Sequence, residues 1–114
     1  MKAVFVELPA FERHRAQYMD DNGFSDFQQA LLINPRAGDV IQGTGGLRKV
    51  RFQNASKRKG KRGGLRIIYY WWLQESEFLL FTIYGKGEME SVTPEQCKTL
   101  AQHLQWLKAS RKQS

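Results

Sequence analysis

The sequence predicts a small α+β domain of order β-α-α-β-β-β-α, its last three strands an antiparallel meander with the helices packed on one face. Three observations carry this expectation. Residues 65–73, LRIIYYWWL, are nearly all β-branched or aromatic, the composition of a central strand. Extended runs at 47–54 and 77–84 flank it, joined to it by a polar, glycine-containing stretch (55–64) and by a tight turn at 74–76. Thr93-Pro94-Glu95-Gln96 then has the makings of a helix start, with Thr at the cap, Pro in the first turn and Gln placed to return the capping bond.

The remaining elements follow in order. Residues 3–8 read as a first strand that stops at Pro9, and residues 10–19 as a short helix with Phe11, Arg15 and Tyr18 on one stripe. Asp20-Asp21-Asn22-Gly23 reads as a turn, after which Ser25 caps a second helix through Ile33 with Phe27, Ala30 and Leu31 inward. Asn34-Pro35 ends it, because the residue before proline is pushed out of the helical region. A glycine-rich loop covers 36–46, and the last helix reaches about Arg111 with Leu100, Leu104 and Leu107 as its apolar stripe. At 114 residues, with no repeat, linker or composition break, a single domain over 1–114 is expected.

Composition narrows the function classes. The apolar stretch before Pro9 is too short for a signal-peptide core, nothing later approaches a membrane span, and the single cysteine, Cys97, rules out an intrachain disulfide framework. A cytoplasmic protein without membrane attachment is expected. The net charge of +7 points to a polyanionic partner, and its distribution says more than its total. Nine of the 18 Lys and Arg residues lie between Arg48 and Arg66, and no Asp or Glu occurs from Val40 through Gln74. A solubilising surface would intersperse both signs.

Strand alternation predicts where these charges point. Lys49 and Arg51 share one face of their strand, while Val50 and Phe52 take the other; Arg66 shares a face with Ile68 and Tyr70, opposite Leu65, Ile67 and Tyr69. If the helices cover the apolar side, Lys49, Arg51 and Arg66 gather on an uncovered face, bordered by Tyr84 and Lys86 provided that the last strand runs without a bulge. Such a cluster suits RNA phosphates, with Tyr70 and Tyr84 available to stack on unpaired bases. Arg48 and the loop cations Lys57, Arg58, Lys59, Lys61 and Arg62 read as sequence-independent backbone contacts.

Other chemistries find little footing. His14 and His103 stand on separate predicted helices without metal-ligand spacing, and the glycine runs 43–46 and 63–64 match neither a phosphate-binding loop nor a dinucleotide fingerprint. Neither metal nor cofactor is expected. RNA carries its own nucleophile, the 2′-OH. A lysine crowded by cations sheds its proton more readily and can serve as general base, while flanking arginines stabilise a pentacoordinate phosphorane.

The element order, together with Gly43-Thr44-Gly45-Gly46-Leu47-Arg48-Lys49-Val50-Arg51, the basic stretch from Lys57 to Arg62, Gly64-Leu65-Arg66-Ile67-Ile68-Tyr69-Tyr70 and Thr82-Ile83-Tyr84-Gly85-Lys86, resembles the RelE/HigB toxin family, most closely its HigB-like branch. The resemblance covers nearly the whole chain. It implies the RelE-like microbial ribonuclease fold and a toxin of a type II toxin–antitoxin system that enters the ribosomal A site and cuts translated mRNA there. The implied partners are mRNA and rRNA of the ribosome and a cognate antitoxin, commonly a helix-turn-helix protein of the HigA type, with operator DNA bound only through the toxin–antitoxin complex. Matched by position, Lys49 and Arg51 fall on the paired lysines of the RelE type, Arg66 on the arginine that holds the scissile phosphate, and Lys86 in the turn after the last strand. This chain departs from the pattern with Arg51 for a lysine, Gly87 for an arginine, and no C-terminal catalytic tyrosine. Tyr84 and Glu88 are candidate replacements, and the choice of acid and base stays open. Two other readings remain at this point, a ParE-like toxin that poisons DNA gyrase and a non-catalytic ribosome- or RNA-binding module.

Overall fold

The computed structural model describes residues 3–53, 64–85, 87–88 and 92–112. It is an α+β fold of three helices and one five-stranded mixed sheet. In chain order the elements are β1 (Val4–Glu7), α1 (Pro9–Tyr18), α2 (Asp21–Ile33), β2 (Asp39–Val40), β3 (Arg48–Phe52), β4 (Leu65–Trp72), β5 (Glu77–Gly85) and α3 (Pro94–Lys112). The strands lie in the order β1-β5-β4-β3-β2, with β1 parallel to β5 and the others antiparallel. The β3-β4-β5 meander is as the sequence predicts, while the two-residue β2 appears inside the expected loop.

Local chemistry explains most boundaries. Proline opens α1, where its missing N–H has no intrahelical partner to lose. Asp20, not Ser25, caps α2: its Oδ1 accepts from the Gly23 N–H at 2.8 Å, so the predicted turn at 20–23 is the helix's first turn. Thr93 and Gln96 exchange the reciprocal bonds of a capping box at α3, at 2.9 and 3.1 Å. The glycine-rich 43–46 segment is a structural turn. Gly43, Gly45 and Gly46 take positive φ, and the fully buried Thr44 donates to the Ile41 carbonyl at 2.6 Å and accepts from Leu47 N at 3.2 Å.

Both faces of the sheet are covered, which corrects the expectation of helices on one face. Phe11 of α1 and Phe27 and Leu31 of α2 pack with Leu65, Ile67, Tyr69, Phe78, Leu80 and Ile83 on the first face. On the second, Leu104 of α3 packs with Ile68, Trp72, Leu79, Phe81 and Tyr84, with Leu100 and Leu107 beside them. The physical reason lies in β4, where Arg66 is the single charged residue of the strand, so both of its faces need cover. The far end of α3 is held to the sheet by Arg111, which pairs with Glu77 at 2.6 Å and lies over the Trp72 ring. Among the described residues, no helix is long and apolar enough to cross a membrane.

Candidate nucleic-acid interface

Register brings the predicted cations together. Arg51 on β3 lies opposite Arg66 on β4, and Arg66 lies opposite Tyr84 on β5; one step along, Lys49, Ile68 and Thr82 form the next row. Opposite residues project to the same side of a sheet, as do residues two apart in a strand. Lys49, Arg51, Arg66 and Tyr84 therefore share the α3 face, while Val50 and Phe52 pack into the α1/α2 core. Arg51 is exposed, and Lys49 and Arg66 are half-buried. Two like charges directly opposite each other are unfavourable by themselves, and an anion seated between them reverses the sign.

Tyr84 reaches this face through a bulge, the feature that the sequence reading required to be absent. Ile68 pairs with Thr82 and Tyr69 with Leu80, so Phe81 has no opposite residue. The extra residue shifts the alternation, with Leu80 and Ile83 on the first face and Phe81 and Tyr84 on the second. An unbroken strand would keep Tyr84 in step with Leu80, under α1 and α2. Tyr84 is 7% exposed, and its hydroxyl is shielded from solvent with no hydrogen-bond partner among the described residues. Burial raises its pKa, partly offset by the Arg66 charge. At neutral pH it is a proton donor without an acceptor.

Other predicted site residues take different places. Arg48 points to the opposite side from Lys49, donating to the Gly38 carbonyl at 2.7 Å and so tying β3 to the α2–β2 loop. Tyr70 is not open for stacking, because α3 lies over it with Lys108 Nζ 4.8 Å from the ring centroid. Glu88 is engaged structurally, accepting from the Gly85 N–H and the Tyr18 hydroxyl. Burial and that bond push the Tyr18 pKa up to about 12. Lys57, Arg58, Lys59, Lys61, Arg62 and Lys86 lie outside the described residues.

Sequence reasoning also left two histidines unused. β1 ends opposite Leu80, and α1 packs against β5. Between α1 and α3 runs an open groove of about 760 Å³, with Phe81, Thr82 and Tyr84 on its floor, His14 on one wall and His103 on the other. Among the described residues no group of three or more side chains is placed to hold a metal ion. No family model matches the chain.

Proposed function

We propose that this protein is a ribosome-dependent mRNA endoribonuclease, the toxin of a type II toxin–antitoxin pair with the RelE/HigB topology. The supporting observation is the Arg51–Arg66–Tyr84 row, in which two guanidinium groups and a buried phenol without an acceptor among the described residues share one sheet face. An RNA phosphate suits the two guanidinium groups, with the phenol beside them. The cleavage reading also needs a proton acceptor, and Lys49, on that face in the adjacent row, supplies an amine.

In the proposed reaction the 2′-oxygen attacks the neighbouring phosphorus as Lys49 takes its proton. The P–O5′ bond breaks, leaving a 2′,3′-cyclic phosphate and a 5′-hydroxyl. Arg66 and Arg51 hold the charge that builds on the phosphorane oxygens. Tyr84 enters as the donor to the departing 5′-oxygen, since burial keeps its proton in place until then. Lys86, which follows β5 in the sequence, is counted with the catalytic residues on the family resemblance alone. The ribosome positions the message, and Lys57, Arg58, Lys59, Lys61 and Arg62 contribute backbone contacts whose strength falls with salt.

The purified protein is expected to halt a cell-free translation reaction and to leave cuts within translated mRNA, mapped by primer extension. Lys49→Ala and Arg66→Ala are expected to lose the cuts while still sedimenting with ribosomes. Intact message alongside unimpaired translation overturns the proposal.

A further inference from the structure

The groove between α1 and α3 is the feature that the cation row leaves unexplained. It adjoins the row directly: Tyr84, opposite Arg66 in the row, lines it, as do Ile68 and Thr82 from the next row along. Its size falls within the range of sites for small organic groups. Its chemistry differs from that of the row. Among the described residues of its lining, Arg13 and Glu88 are of opposite charge, while Phe81, Leu8 and Leu100 give it an apolar bed. A phosphate is therefore drawn to Arg51 and Arg66 rather than into the groove. A flat, uncharged heteroaromatic group suits the groove instead. His103 stands edge-on to Phe81 at 5.3 Å between ring centroids, and His14, 3.2 Å from Gln17 Oε1, rises from the facing wall. Imidazole rings are among the side chains on which unstacked bases lie.

We infer that this groove receives one unpaired nucleobase of an RNA strand whose adjacent phosphate sits at Arg66. His14 and His103 form its walls, and the Tyr84 ring, which lines the groove and lies opposite Arg66, marks the junction of base and phosphate subsites. This deepens the proposed function, on which it rests for the choice of RNA as ligand, and it places part of any sequence preference in α1 and α3 rather than in the basic loop.

The chain contains 2 histidines, so its imidazole carbon-bound proton spectrum reports on this groove alone. Titration of the full chain with a 2′-O-methyl RNA trinucleotide, which cannot be cleaved, is expected to shift both resonances along one saturating curve. Inorganic phosphate alone is expected to leave both in place. Thr99→Trp, an exposed α3 position on the groove lining, is expected to fill the site, weaken trinucleotide binding roughly tenfold and suppress the shifts, with an unchanged thermal midpoint. Imidazoles that stay put at the highest trinucleotide concentration, or that respond equally to phosphate, overturn the inference. The two proposals fail separately. Cleavage by a protein with silent imidazoles removes the base site and keeps the nuclease; a saturable shift in a protein that leaves translated mRNA intact does the reverse.

Discussion

Tyr69 and Tyr84 are buried on opposite faces of the same sheet, 0% and 7% exposed, and their hydroxyls fare differently. The Tyr69 hydroxyl donates to the Pro35 carbonyl at 2.8 Å and accepts from the Gly38 N–H at 3.1 Å, fastening the α2–β2 loop to the core. The Tyr84 hydroxyl has neither bond. A buried hydroxyl left unpaired costs about 1–3 kcal/mol. The face under α1 and α2 is thus finished as a core, with the buried side-chain polar atoms of its described residues satisfied. The α3 face is finished at the Trp72 end, while at the Tyr84 end Arg51 and Arg66 lie in register beside a donor without an acceptor among the described residues. The first arrangement serves folding. The second is the arrangement on which the proposed function rests.

The largest expected effect separates the faces outright. Phe78 is fully buried and stacks between Phe5 at 4.8 Å and Trp71 at 4.4 Å. Phe78→Ala is expected to cost roughly 3–5 kcal/mol of stability, read from urea unfolding. Arg66→Ala on the other face is expected to leave the unfolding midpoint nearly unchanged and to lower cleavage about 10²–10³-fold, the usual loss for one charge-stabilising donor. Comparable unfolding by both variants would erase the distinction between a structural and a functional face.

A smaller effect sharpens the comparison at the tyrosines themselves. Tyr84→Phe removes a hydroxyl that has no partner among the described residues, so stability is expected to rise by about 1 kcal/mol while cleavage falls. Tyr69→Phe removes a hydroxyl with two partners and leaves a buried N–H and a carbonyl short of one bond each, so stability is expected to fall by about 1–3 kcal/mol. Opposite signs in urea midpoints, measured side by side, are the test. A destabilised Tyr84→Phe variant would show that its hydroxyl is satisfied in the folded protein and has no need of substrate.

The first face was legible in the sequence and the second only in part, for physical reasons. Alternation alone places Leu65, Ile67 and Tyr69 with Val50 and Phe52, and Lys49, Arg51 and Arg66 opposite them. Alternation fails at Phe81, because a bulge inserts one residue without a mark in the local composition, and Tyr84 changes sides there. The cover provided by α3 did leave a trace: Ile68, Tyr70 and Trp72 make the supposed open face of β4 as apolar as the closed one. At α2, Ser25 and Asp20 are both good caps, and the glycine at position 23 favoured reading the first turn as a loop. His14 and His103 belong to helices at opposite ends of the chain and meet across β5, which no sequence spacing records.

The smallest effect sits where the two faces join. Tyr18 closes α1, and its hydroxyl donates to Glu88, whose carboxylate also accepts from Gly85 at the end of β5. Burial first, and then that bond, raise the Tyr18 pKa to about 12 from the ordinary value near 10. A tyrosine whose proton is held more tightly in the folded than in the unfolded chain adds stability that is complete below about pH 10 and lost as pH climbs toward 12. Stability measured across that window is expected to decline, and to decline less steeply in Tyr18→Phe. Some slope should persist in the variant, because burial raises Tyr69 and Tyr84 as well. An identical slope in both proteins would mean that Glu88 does not hold Tyr18 in solution, and that the end of β5 is positioned without help from α1.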